Sequence, residues 1–315
     1  MSDRVLLVVV PAHHDADRHR WSRLDRKRPL TDCLESLITS AGKWRANGST
    51  VVFDRVQILL VDDGSPKPLA TVLPYSVLES ITVERLGRRR GQGAALNHAF
   101  ATYDATAYAI TDSDCVVAES WLTTIATLAE SADDTDGTAG PPWHHQKCGS
   151  RKAKWLTEQE TRLVRHCTER AGRHDETRLD CRNVWIRGDV VEKIGRESFF
   201  PEDAGAALSG MTSRMLSASG VKLGFSTAMS VEHESLRSVR AQVLTYFSRG
   251  ATSDLCQHYL AGHRSLRRAF LGIYLRRHFL EPARAGVNPF YVLLAHGAYW
   301  CGLFRRRLHW RRHRA

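Results

Sequence analysis

The sequence predicts an α/β fold: a mostly parallel sheet with helices on its faces. Three observations carry this reading. Short apolar runs recur at residues 5–10, 56–61 and 107–110, broken only by Gln57. Stretches compatible with helix separate them. Asp-rich or polar loops follow the runs rather than precede them. Continuous apolar runs are typical of strands buried on both faces. Their alternation with helices implies parallel crossover connections. In such sheets ligands bind beyond the carboxyl ends of the strands.

Each element has its own local reason. Residues 5–10 (VLLVVV) form a buried strand closed by Pro11, and Pro11-Ala12-His13-His14-Asp15 follows as a loop. The basic stretch up to Pro29 (ADRHRWSRLDRKRP) reads as an exposed insertion. Residues 32–41 fit a helix: Cys33, Leu34, Leu37, Ile38 and Ala41 share a face, and Asp32 with Glu35 can cap it. Residues 56–61 (VQILLV) form a second buried strand ending in Asp62-Asp63-Gly64-Ser65-Pro66. Residues 81–86 form a third strand, and residues 91–102 (GQGAALNHAFAT) a glycine-led helix. The fourth strand ends in Asp112-Ser113-Asp114, and Trp121 and Leu122 belong to the core of the helix after it.

Beyond Gly140-Pro141-Pro142-Trp143 the pattern changes. Residues 155–171 fit an amphipathic helix, and residues 184–194 a short apolar and polar segment. Phe199-Phe200-Pro201-Glu202-Asp203 leads into a helix over residues 204–218, ended by Gly220. Residues 221–231 read as strand, reaching Glu232-His233-Glu234. From Ser238 onward the chain reads as helical and increasingly basic.

The 315 residues suffice for one large or two modest domains. The formal charge of +11 is concentrated: residues 264–315 hold twelve Arg, no Lys and one acid, Glu281. That segment alone nets +11, so residues 1–263 sum to zero. A basic protein of this kind is not expected to bind nucleic acid through its body, and Arg without a recognised fold is unspecific. Seven scattered Cys with no C-x-x-C pair point to reduced thiols and a cytoplasmic setting. The apolar run at residues 5–10 is too short for a signal peptide, and none is expected. Residues 290–304 are apolar but fall short of the roughly 20 needed to span a bilayer. With Arg305-Arg306-Arg307 and Arg311-Arg312 beside them, they suit a helix on an anionic membrane surface, or a helix packed on the body with a solvated Arg-rich end.

Two carboxylates one residue apart at a strand end, as in Asp112-Ser113-Asp114, can hold Mg²⁺ or Mn²⁺ through oxygen ligands. Alone the pattern is weak, because Asp is common in turns. Alone, Asp62-Asp63-Gly64-Ser65 is a turn, and Glu202-Asp203 is a pair favoured by a helix N-terminus. The motifs argue against nicotinamide chemistry. It requires G-x-G-x-x-G directly after the first strand, where this chain has Pro-Ala-His-His. Gly91 and Gly93 come later and lack the third glycine. His144 and His145 fit no common zinc spacing.

Taken in order, strand-Pro11-Ala12, strand-Asp62-Asp63-Gly64-Ser65, Gly91 to Asn97, strand-Asp112-Ser113-Asp114 and Glu202-Asp203 resemble the family 2 glycosyltransferases of GT-A fold. The resemblance covers residues 5–234. It implies a GT-A domain over residues 1–235, with a Rossmann-like sheet, and a basic helical extension over residues 236–315. It implies inverting, metal-dependent transfer of a hexosyl-type sugar from a nucleoside diphosphate sugar to a hydroxyl or amine. The acceptor would be a glycan, a lipid-linked sugar or a small natural product. Pro11, Ala12, Asp62, Asp63, Gly91, Asn97, Asp112, Ser113 and Asn183 would bind the nucleotide sugar. Asp114, Asp112 and His233 would hold Mg²⁺ or Mn²⁺. Asp203 would be the base, with Glu202 second. The family often has Asn where this chain has Arg88-Arg89-Arg90, which would face either the diphosphate or solvent. Cytoplasmic placement, peripheral on the inner membrane face, is expected. Two alternatives remain at this point. One is a non-catalytic GT-A-like binding protein using its Arg tail on membrane or nucleic acid. The other is a sugar-phosphate nucleotidylyltransferase, although the glycine-rich loop that enzyme wants after strand one is missing.

Overall fold

Val5–Ala12 forms β1, and all eight of its residues are buried. The computed structural model describes residues 3–14, 29–47, 52–131, 135–144, 179–202, 204, 208–233, 243–244, 246–248 and 289–312. The expected helix at residues 155–171, the basic stretch before Pro29, His145, Asp203 and Glu234 lie outside these. The chain divides into two compact units. The larger runs through Met1–His144, Val164–Glu202 and Leu208–Glu234. The smaller runs through His145–Leu163, Asp203–Ala207 and Ser235–Ala315.

The larger unit is built on a seven-stranded sheet. Its strands are β1, β2 (Arg55–Asp62), β3 (Thr82–Arg85), β4 (Ala107–Ile110), β6 (Gly137–Ala139), β8 (Val184–Arg187) and β9 (Leu223–Phe225). Their order is β3-β2-β1-β4-β8-β6-β9. Only β8 runs against the others. A second sheet of three short strands joins β5 (Cys115–Val117), β10 (Val231–His233) and β7 (Pro142–His144), in the order β5-β10-β7.

Alternate residues of β1 and β2 face opposite helical layers. Leu6, Val8, Val10, Ile58 and Leu60 pack with α1 (Pro29–Ala46) and α4 (Trp121–Glu130) through Leu34, Leu37, Trp44, Leu122 and Ile125. α3 (Gln92–Thr102) lies in the other layer. There Phe100 stacks with Tyr108, Phe199 and Phe200 at centroid distances of 4.3–5.5 Å. This two-sided burial is why the strands read as unbroken apolar runs. α1 is longer than expected because Pro29 starts it; proline suits a first helical turn.

Pro11 and Ala12 are not loop residues. They extend β1 and pair with Val61 and Asp62. Proline is tolerated there for a geometric reason. Val9 O accepts from Thr111 N–H on the β4 side, and Ala12 O accepts from Asp63 N–H on the β2 side. Alternation therefore turns the Pro11 nitrogen toward β4, whose ladder with β1 has ended at Ile110. β1 and β4 separate at this point. Chain order also reverses here, with β2 on one side of β1 and β4 on the other, which makes it the switch point where open α/β sheets take ligands.

Among the described residues the larger unit also holds α2 (Tyr75–Leu78), α5 (Gly188–Ile194) and α6 (Leu208–Ala218). The stretch expected as one strand over residues 221–231 is two, β9 and β10, parted by a turn at residues 226–230. In the smaller unit α7 (Pro289–Arg312) is a single helix of 24 residues. Among the described residues no helix is long and apolar enough to cross a membrane.

Candidate active site

Asp62 and Asp63 end β2 but point to different tasks. Asp62 is fully buried. Its carboxylate accepts from the Ser65 N–H at 2.8 Å and the Leu69 N–H at 3.1 Å, and pairs with Arg85 Nε at 3.4 Å. It ties the turn after β2 and is no longer a candidate for the nucleoside. Asp63 accepts from the backbone N–H of Arg90 at 2.7 Å and of Gly91 at 2.8 Å. Those donors sit at the start of α3, where a carboxylate is favoured. An ionised carboxylate offers about four acceptor positions, so Asp63 retains some. His13 Nδ1 lies 2.9 Å from the Asp63 carbonyl. Gly64 is required by two facts. Its φ is +62°, and a Cβ there would lie 2.3 Å from the Arg88 carbonyl carbon.

Asp112, Ser113 and Asp114 form the turn from β4 to β5, and all three are partly exposed. The Cys115 N–H closes the turn on Asp112 O at 3.1 Å, and Cys33 Sγ donates to the same oxygen at 3.4 Å. Gln92 Nε2 donates to Asp112 Oδ1 at 2.5 Å. The antiparallel register of β5 and β10 sets His233 opposite Cys115. His233 Nε2 thereby comes within 3.4 Å of Asp114 Oδ1. Two of the predicted metal-site residues far apart in sequence, Asp114 and His233, thus meet at one strand end, with Asp112 in the same turn.

Burial, then the neighbouring Asp114 charge, pushes the Asp112 carboxyl well above the usual range. Asp114 keeps 44% of its side-chain surface open, but desolvation of its protein side raises it as well. Burial, followed by the nearby Arg182 charge, holds His233 at about 3, so its imidazole is neutral at ordinary pH. Two carboxylates that resist ionising together, beside a neutral imidazole, make a donor set suited to a hard divalent cation. Ligand atoms of Asp114, Cys115 and His233 lie within 4.8 Å of one another. Burial raises the Cys115 thiol far above neutrality, so it stays protonated and is a poor partner for Mg²⁺ or Mn²⁺.

The family model described as Glycosyl transferase family 2 matches residues 23–194. The chain belongs to this family. It is a glycosyltransferase. Solved structures agree in fold. The mannosyltransferase PcManGT of Pyrobaculum calidifontis, in complex with GDP-Man and Mn²⁺, is 16% identical at a TM-score of 0.52, over 95% of this chain and 74% of that one. TarS 1–349 of S. aureus is 13% identical at a TM-score of 0.50, over 92% of this chain and 80% of that one. No match was found among curated proteins. At these identities the likeness concerns the GT-A architecture alone.

Two expected donor-binding residues of this glycosyltransferase are framework instead. Asn97 is buried on α3, where its Nδ2 donates to Phe200 O and its Oδ1 accepts from Phe200 N–H, both at 2.8 Å. It imitates a backbone pair and pins the Phe-Phe-Pro-Glu segment onto α3. Gly93 permits that approach, since a Cβ there would lie 3.0 Å from Pro201 O. Asn183 is fully buried. It accepts from Trp121 Nε1 at 2.9 Å and donates to Met229 O at 2.9 Å and Pro141 O at 3.4 Å. Both amides are buried and bonded to the protein.

Glu202 is placed by the segment that Asn97 holds. Both of its oxygens accept from Arg90 Nη2 at 2.9 Å. Arg90 is thus committed to a carboxylate, while Arg88 and Arg89 are exposed.

Asp180 and Arg182 were not singled out in the sequence. They form a bidentate pair at 2.8 and 2.7 Å beside the Asp112 turn. Thr111 Oγ1 donates to Arg182 O at 3.0 Å, anchoring the pair to the end of β4. Burial pushes the Asp180 carboxyl up, but the Arg182 guanidinium outweighs it and holds the group at about 2. A depressed carboxylate stabilises the fold above its unfolded value, here 3.8, and that contribution is lost as pH falls through about 2. Arg182→Leu leaves Asp180 desolvated without its cation. The acid-unfolding midpoint of the metal-free transferase, followed by circular dichroism, should then move to higher pH. Neutral-pH stability should fall by about 3 kcal/mol.

Proposed function

We propose that this enzyme transfers a sugar, with inversion, from a nucleoside diphosphate sugar to an acceptor hydroxyl or amine, using Mg²⁺ or Mn²⁺. The observation that supports the reading is the contact of Asp114 with His233, in the turn that also holds Asp112, beside the switch point of a family 2 fold. Residues 1–235 would be the transferase domain and residues 236–315 an extension of it.

Asp63 is the nucleoside-binding carboxylate. The Arg90 and Gly91 amides fix its orientation and leave acceptor positions for a base or ribose donor. Asp112, oriented by Gln92, and Asp114 hold the cation, with the neutral His233 nitrogen as a further ligand. A cation bound there supplies Lewis-acid stabilisation of the departing diphosphate. Ser113 lies between the two carboxylates in the turn and is assigned as a donor contact from that place. Asp203 is assigned as the base that takes the acceptor proton, from its place after Glu202 in the sequence. Glu202 is the weaker candidate because Arg90 already occupies it, and it acts as a brace for the loop.

The test is thermal stabilisation by UDP, GDP and dTDP with and without Mn²⁺. A shift with one of them that grows with metal is expected. Absence of any shift, together with no binding by calorimetry, sinks the reading. Asp203→Asn should keep donor affinity and lower the transfer rate about a thousandfold, within the span of general-base effects. If transfer survives in that variant, the base lies elsewhere.

A further inference from the structure

α7 turns a stripe of large apolar side chains toward solvent. Phe290 is 65% exposed, Leu293 60% and Phe304 56%, and Leu294 and Trp300 are exposed as well. Gly297 and Cys301 are exposed between them. These positions recur every three or four residues, so they share one face of the helix over about 21 Å. The opposite face is covered, with His296, Tyr299 and Leu303 buried. The stripe is continuous at its far end, where the Trp300 and Phe304 rings are 6.2 Å apart. Isolated exposed apolar residues are ordinary, but a contiguous row of this kind marks a contact surface.

The charge of the same helix selects the occupant. α7 contains no Asp or Glu, and it ends in Arg305-Arg306-Arg307 and Arg311-Arg312. Arg305 is exposed and sits 5.8 Å from the Phe247 ring centroid. An apolar row with a cationic end complements a surface that is apolar beneath and anionic above. Exposed apolar side chains are favoured at the headgroup and acyl boundary of a bilayer, and Arg beside them is drawn to anionic headgroups. Spanning is not the mode, because α7 lacks an apolar window of sufficient length and low charge. A nucleic acid would use the Arg cluster and leave the Phe, Leu and Trp row uncovered.

We propose that α7 docks the enzyme on an anionic phospholipid surface. Phe290, Leu293, Leu294, Trp300 and Phe304 enter the headgroup and acyl boundary, and Arg305 at the basic end of the helix meets lipid phosphate. The proposal does not depend on the identity of the donor or the acceptor.

The test is co-sedimentation of the full chain with phosphatidylcholine vesicles, pure or with roughly a third phosphatidylglycerol, at about 0.1 M salt. Binding to the anionic vesicles is expected to exceed binding to neutral ones by about tenfold or more and to weaken as salt rises. The double variant Leu293→Glu with Phe304→Glu should lose at least about tenfold in vesicle affinity. Both residues are exposed, so its melting temperature and its nucleoside diphosphate binding should not change. A second variant, Arg305→Gln with Arg306→Gln and Arg307→Gln, should lose the preference for anionic lipid but retain weak partition. Equal binding to both vesicle types overturns the proposal, as does undiminished binding of the double variant. A self-association seen by light scattering that the double variant abolishes, without vesicle binding, assigns the stripe to a second copy and overturns it too. So does retention by an oligonucleotide with none by vesicles.

Discussion

Replacing Asp114 by Ala is expected to abolish Mn²⁺-dependent sugar transfer while the protein stays folded. Asp114 is the half-exposed carboxylate of the β4 to β5 turn, and it alone of the pair lies against His233. Asp112 is already oriented inward by Gln92. Removal of Asp114 therefore takes away the ligand most open to a cation arriving with a diphosphate. Mg²⁺ and Mn²⁺ bound through few protein carboxylates depend on each of them. A loss of about 1,000-fold in the rate of transfer is expected, equivalent to roughly 4 kcal/mol of transition-state stabilisation. Stability should move the other way. Asp112 and Asp114 repel one another in the desolvated turn, so the metal-free variant should melt at the same temperature or slightly above the parent. Two measurements check this: a Mn²⁺ titration of activity, and melting curves with and without Mn²⁺ plus nucleoside diphosphate. An unchanged Mn²⁺ response in the variant would show that the cation binds elsewhere. His233→Ala should weaken the metal response less, since an imidazole supplements a site that the carboxylates define.

How much of this was legible in the sequence depended on what made each feature visible. β1, β2 and β4 stood out because burial on both faces leaves no polar alternation, and that is a one-dimensional signal. Asp112 and Asp114 stood out through their place in the order of motifs, since Asp at a strand end is by itself common in turns. The division of labour between Asp62 and Asp63 was hidden. Adjacent residues leave a strand in opposite directions, and only closure of the turn shows which one meets Ser65 and Leu69 and which meets α3. Asn97 and Asn183 have the residue type of ligand contacts. Their amides instead complete buried backbone bonds over separations of 103 and 46 residues. His233 came beside Asp114 through the register of strands only three residues long, too short to leave a pattern. Arg182 carried no signal, because Asp-Cys-Arg resembles any polar loop until β4 and β8 are brought side by side.

Asn183→Ala should be the most destabilising single change outside the apolar core. Asn183 sits at the junction of four segments. Its side chain accepts from Trp121 on α4 and donates to Met229 before β10 and to Pro141 before β7. Its own carbonyl accepts from Gly140 N–H at 2.9 Å. Every partner is buried, so truncation leaves the Trp121 indole N–H and two carbonyl oxygens with no water to replace the amide. Each orphaned buried group costs about 1–3 kcal/mol, so a loss near 4 kcal/mol follows even with partial relaxation. Asn183→Asp should be worse than its small change in shape implies. A carboxylate would still accept from Trp121 but would face two carbonyl oxygens it cannot donate to. Chemical denaturation read by tryptophan fluorescence and far-ultraviolet dichroism measures both. The consequence for catalysis is specific. Met229 lies two residues before β10, and β10 carries His233 to Asp114. An Asn183 variant that remains folded should therefore bind Mn²⁺ more weakly, while nucleoside diphosphate affinity without metal, assigned above to Asp63 at the far side of β1, stays near that of the parent. Equal loss of both affinities would mean that the junction supports the whole sheet edge and not the β5 to β10 side alone.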